Sequence, residues 1–131
     1  MVQLRFFLTF LYLIGKVFLL MNIAFKTKKI SKIFNTKSEL HKKYGDRNAE
    51  IFMMRMDFLK AAPTLQDVPH QKPYRLHELK GSRRGQFTVD LKQPTRLVFK
   101  PNHDPLPKRE DGGLDLGKIT SILILSVEDI H

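Results

Sequence analysis

Between Arg75 and Phe99 the chain alternates apolar and polar residues in three short runs, and this stretch restricts the possible folds more than any other. Alternation with a period of two is the mark of a half-buried strand. The first run, around Leu76 and His77, is followed by a gap holding Gly81, Gly85 and the cations Lys80, Arg83 and Arg84. The second is Phe87 to Leu91. The third is Thr95 to Phe99, set off by Pro94, which cannot donate to a sheet ladder and so marks a turn or an edge. Two successive antiparallel hairpins are predicted. Phe87, Val89 and Leu91 should face one way, and Gln86, Thr88 and Asp90 the other. Arg96 and Val98 should oppose Leu97 and Phe99. One apolar face and one face offering His and Arg, beside a cationic loop, suit a bound polyanion.

The charge agrees with such a ligand. The chain of 131 residues has a formal charge of +10 and a pI near 10.0. An excess of this kind favours nucleic acid or an anionic membrane surface, the plainer alternative being a basic surface kept for solubility. There is no cysteine, which excludes disulfides and thiolate metal sites and fits a reducing compartment. Ten phenylalanines supply volume for the core of one domain.

Ahead of the sheet, residues Asn22 to Lys26 suggest a short strand. Ile30, Ile33, Phe34 and Leu40 then fall at helical spacing opposite a lysine-rich side, with Gly45 as the stop. Asp46 is the predicted N-cap of a second helix carrying Ala49, Phe52, Met53, Met56 and Leu59 along one stripe. Its methionines are expected to fill gaps against the sheet. The proline-containing segment Thr64 to Pro73 reads as an ordered loop. The expected class is therefore α+β: two N-terminal helices packed on a small, mostly antiparallel, twisted sheet.

After Phe99 comes a long loop, Lys100 to Gly117, rich in proline and glycine; loops of this length are often functional or mobile. Its acidic residues do not match a calcium-loop spacing, and no metal is expected. Ile119 to Val127 is apolar on both faces, as in a central strand covered on both sides. If its odd-numbered residues share a face, Asp129 and His131 share one as well. His41, His70 and His103 fit no set and read as surface residues.

Residues 1–20 stand apart as an apolar leader, Phe6 to Gly15 and Val17 to Leu20 interrupted by Lys16. The run is short for a span, Lys16 would be costly in a bilayer, and no small-x-small cleavage site follows. A start assigned too early, with translation from Met21, competes with an anchor and a signal peptide; membrane association is expected only in the anchor case. Loss of Arg5 and Lys16 leaves a charge of +8, so the nucleic-acid reading is independent of the leader.

The ordered set His77-Glu78-Leu79-Lys80-Gly81-Ser82-Arg83-Arg84-Gly85, a strand, Arg96-Leu97-Val98-Phe99, and the ending Glu128-Asp129-Ile130-His131 resembles the HigB-like toxins of the RelE/ParE superfamily. The resemblance covers 21–131 and leaves 1–20 without a counterpart. It implies a RelE-like fold and a cytoplasmic toxin of a type II toxin–antitoxin system, an endoribonuclease that cuts mRNA on the ribosome and inhibits translation. It further implies a helix-turn-helix antitoxin as partner and no cofactor. Position by position, His77, Lys80, Arg96, Asp129 and His131 match the family's catalytic positions, while Lys92 lies near an expected second strand arginine. Ile130 departs from the pattern, in which tyrosine is frequent, and an isoleucine can neither donate a proton nor hydrogen-bond a nucleotide. The competing class is a non-catalytic module: a ParE-like inhibitor or an RNA binder acting by contact.

RNA cleavage without metal uses the substrate's own 2′-hydroxyl as nucleophile. It needs a base, an acid for the departing 5′-oxygen, and cations for the charge growing on phosphate. His77 and His131 are the expected proton-transfer pair, with Asp129 orienting or assisting one of them. Lys80 and Arg96 would stabilise the transition state, and Arg83 and Arg84 would hold flanking phosphates.

Overall fold

A computed structural model describes residues 20–130; the readings made for the apolar leader and for His131 lie outside these residues. The order of elements is β1 (Asn22–Phe25), α1 (Lys28–Phe34), α2 (Lys37–Tyr44), α3 (Asp46–Ala61), β2 (His77–Glu78), β3 (Phe87–Asp90), β4 (Thr95–Pro101) and β5 (Ser121–Asp129). Short 3₁₀ turns occupy Leu65–Asp67, Gly81–Arg83 and Leu116–Lys118. The strands form one sheet in the order β1-β5-β4-β3-β2. Only the β1–β5 pair is parallel; β2–β3, β3–β4 and β4–β5 are antiparallel. The class is α+β, and the two hairpins expected from the alternation are present. No helix among the described residues is long and apolar enough to cross a membrane.

Among the described residues there are three helices where the spacing predicts two. The Thr27 hydroxyl accepts the Ile30 N–H at 3.1 Å and opens α1. At its end the Asn35 amide donates to the Ser31 carbonyl at 2.8 Å, and Thr36 then turns extended. A short polar side chain that bonds to nearby backbone competes with helix continuation, and at Asn35 this splits what the spacing presents as one helix. Asp46 is not an N-cap: Gly45, at φ 83°, takes that position, and Asp46 opens α3 with its carboxylate 2.8 Å from His41 Nδ1. Only glycine adopts this left-handed conformation without steric cost, so one residue both ends α2 and starts α3.

The helices cover one face of the sheet. Phe34 meets Phe52 at 4.7 Å between ring centroids, and Phe87 stacks on Phe99 at 6.2 Å. Phe99, Leu97, Val89, Ile122 and Ile124 are wholly buried beneath α3's Phe52, Met56 and Leu59. Met56 and Met53 pack into this core as expected, whereas Met54 is exposed.

The strand β5 departs from simple alternation. Val98 pairs with Ser126 but its neighbour Phe99 pairs with Ile124, so Leu125 is an extra residue at a bulge. The bulge inverts the parity of the strand. Val127 therefore shares the helix-covered face with Ile122 and Ile124, not with Leu123 and Leu125, and Asp129, paired with Thr95, follows it onto that face. The expectation that the odd-numbered residues of this strand share one face is corrected accordingly: Asp129 lies on the face opposite His77 and Arg96, where Thr95 Oγ1 donates to its carboxylate at 2.9 Å.

His103, read as a surface residue, instead fixes the long loop. Its Nε2 accepts the N–H groups of Thr120 and Ser121 at 3.1 and 3.2 Å, joining the loop's start to the head of β5. His41 is likewise tied to Asp46.

Candidate functional site

Register assembles the face of the sheet opposite the helices. His77 stands beside Thr88, Thr88 beside Val98, and Val98 beside Ser126. The adjacent row is Asp90, Arg96 and Glu128. This face is not the open polar surface expected from alternation, because Thr88 and Asp90 are both buried. Asp90 is the reason for much of the packing. Its carboxylate lies 3.4 Å from Arg75 Nε and 3.4 Å from Arg96 Nε, and accepts a hydrogen bond from Gln93 Nε2 at 2.7 Å. The Arg96 contact is an ion pair without a well-aligned hydrogen bond. A second guanidine nitrogen of Arg96 reaches Thr88 Oγ1 at 3.4 Å. Arg55, from α3, donates to the Asp90 carbonyl at 2.8 Å and lies 5.1 Å over the Tyr74 ring. Burial pulls its pKa below the ordinary value, against the opposing pull of Tyr74 and Asp90.

One carboxylate between Arg75 and Arg96 leaves an excess of positive charge. That excess borders a depression of about 300 Å³ lined by His70, Arg75, Leu76, His77 and Arg96. The structure thus brings His77 and Arg96 together, as expected, and adds His70 and Arg75. His70 Nδ1 sits 3.0 Å from the Leu76 carbonyl. A carbonyl only accepts, so Nδ1 carries the proton and the neutral ring has Nε2 free as an acceptor. Arg75 has φ 50°, the only non-glycine residue at positive φ among those described. Such a conformation costs on the order of 1–3 kcal/mol and concentrates at functional positions.

Arg83 is not free to hold a phosphate as the sequence suggested. Its Nη1 and Nη2 each donate to one Glu128 carboxylate oxygen at 2.8 Å, and its Nε donates to Gln86 at 3.0 Å. Neighbouring strands are about 4.8 Å apart, so β3 and β5 are separated by about 10 Å. The Gly81–Arg83 turn therefore folds over the sheet face to make this contact. The Arg83 hydrogen bonds hold the Glu128 pKa down, from 4.5 to about 2, against desolvation and with help from the Ser126 hydroxyl. A carboxylate with a depressed folded pKa stabilises the fold above its unfolded pKa and loses that contribution as pH falls through the folded value. The stability difference between wild type and Glu128→Gln is therefore expected to be constant above pH 4.5 and to vanish as pH falls through about 2, which chemical denaturation across that range measures.

The remaining candidates are dispersed. Lys80 and Arg84 line depressions at the far end of the hairpin with Glu78, Gly81 and the long loop. Lys92 lies in the turn beyond the Asp90–Arg96 pair, its N–H bonded to Asn48 of α3 at 2.9 Å. His70, Arg75, Asp90 and Glu128 were not singled out from sequence. Among them the alternation marks only Asp90, which it sets beside Arg96 once the hairpin is drawn in register.

No family model matches the chain, and no curated protein does. Among solved structures, a YoeB/ParE toxin from Agrobacterium tumefaciens is similar, with 10% sequence identity, 85% of this chain and 100% of that chain covered, and a TM-score of 0.49.

Proposed function

We propose that this chain is the toxin of a type II toxin–antitoxin system, a metal-independent endoribonuclease that cuts mRNA on the ribosome in the cytoplasm. The observation that carries the reading is the convergence of His77, Arg75 and Arg96 on one depression, with a second imidazole, His70, beside them. The ordered resemblance of 21–131 to HigB-like toxins supports it independently. Arg96 and Arg75 would neutralise the scissile phosphate, and guanidinium suits bidentate contact with it. His77 would carry one proton transfer. Two imidazoles are available for the other: His131, from the resemblance, and His70, whose Nε2 is the free acceptor. Single variants separate them. Asp129, turned to the other face and bonded to Thr95, would not touch the substrate. The products would be a 2′,3′-cyclic phosphate and a 5′-hydroxyl.

The exposed lysines Lys28, Lys29, Lys32, Lys37, Lys42 and Lys43 on α1 and α2 support contact with structured RNA, since phosphate neutralisation dominates such binding. A helix-turn-helix antitoxin completes the reading. Expression of residues 21–131 in a bacterium is expected to arrest growth and protein synthesis, and Arg96→Ala to relieve both. Arrest that is undiminished in a folded Arg96→Ala protein would favour the contact inhibitor, the reading that Ile130 supports.

A further inference from the structure

We infer that the groove between the 79–85 hairpin loop and the 106–114 loop is a track for nucleotides flanking the cleaved bond, with Lys108 binding one of their phosphates. The inference rests on the ribonuclease reading and extends it. Two depressions of about 610 Å³ each adjoin one another and share Glu78 and Arg84 in their walls. Glu78 directly follows His77 on the edge strand β2 and points to the other face, so a chain-like ligand would pass from the His77–Arg96 depression to the groove around that edge.

The groove suits a polyanion because three cations, Lys80, Arg84 and Lys108, face two acids, Glu78 and Asp111, of which Asp111 is already paired with Arg109. Glu78 accepts the Gly85 N–H at 3.1 Å. Asp111 accepts the Gly113 N–H at 2.8 Å and Arg109 Nε at 3.2 Å, which keeps its pKa below the ordinary carboxylate value. Lys80, Arg84 and Lys108 make no ion pair or side-chain hydrogen bond among the described residues. The wall carrying Lys108 is itself ordered. Lys108 pairs with Leu114, the Arg109 N–H donates to the Gly113 carbonyl at 2.7 Å, and the Asp115 N–H donates to the Pro107 carbonyl at 2.9 Å. Leu106 is 40% exposed on this wall and offers an apolar surface for a base. Single-stranded nucleic acid is held by this combination of a cationic groove and surfaces on which bases rest.

The test compares a 2′-O-methyl RNA dinucleotide with a longer 2′-O-methyl strand of the same core sequence, on wild type and Lys108→Ala. For the longer strand, Lys108→Ala is expected to lower affinity and to reduce the log–log salt slope by about 0.7, the change for one phosphate no longer neutralised by a lysine. Dinucleotide binding is expected to stay unchanged. Unchanged binding of the longer strand would overturn the inference while leaving the ribonuclease reading intact. Equal losses at both lengths would also overturn it, since they mark a general field effect. Failure of wild type to bind the longer strand would likewise overturn the inference, while the ribonuclease reading, which places cleavage on the ribosome, stands or falls with the RNA ends.

Discussion

Replacing His77 with alanine is expected to slow RNA cleavage by about 10²–10⁴-fold, the usual cost of removing a general acid or base. The loss should come without a loss of stability. His77 is exposed on the two-residue strand β2 and belongs to no core cluster. Its hydrogen-bonded backbone partner is Thr88, and that pairing does not depend on the side chain. Surface substitutions of this kind usually stay within about 0.5 kcal/mol of wild type. Single-turnover cleavage beside a thermal melt separates the two quantities. A large fall in melting temperature would mean that the imidazole is structural and that the depression is not a reaction site.

The second large effect is expected at Asp90. Its side chain is 8% exposed, with Arg96 at 14% and Arg75 at 39%. Asp90→Ala leaves the Arg96 guanidinium in a mostly buried position without its counter-charge, and Gln93 without its acceptor. Removing one partner of a buried pair typically costs about 3–5 kcal/mol. The exposed Arg75 can turn to water and should add little to that cost. Asp90→Asn keeps the shape and one acceptor oxygen but not the charge, and should fall between wild type and alanine. Urea unfolding reads the difference as a shift in midpoint at unchanged slope. In both variants Arg96 loses the group that fixes it, so cleavage should fall even where the protein remains folded.

The hairpins were legible because alternation with Pro94 and the paired glycines fixes both strand faces and turns. Other features were set by interactions that a periodic reading does not contain. The break at Asn35 arises from a side chain bonding to its own turn, whereas the apolar spacing runs straight across it. In β5 every residue from Ile122 to Leu125 is apolar, so an inserted residue leaves no trace in the pattern, yet it reverses the side on which Asp129 lies. Arg83 and Glu128 are 45 positions apart, and their pairing depends on the hairpin turn folding over the sheet. His70 lies in a proline-bounded loop with no periodicity, and only the loop's return past Leu76 sets it beside His77. Of the candidate site, the His77–Arg96 pair was visible in the sequence because both sit on strands.

The measurement that bears most directly on the ribonuclease proposal is the chemistry of RNA ends in cells expressing residues 21–131. The expected result is a burst of new mRNA fragments ending in 2′,3′-cyclic phosphate, each matched by a 5′-hydroxyl partner, absent from cells expressing His77→Ala at equal level. Growth arrest with no new mRNA ends, or new ends that persist at the same frequency in the folded His77→Ala protein, would contradict it.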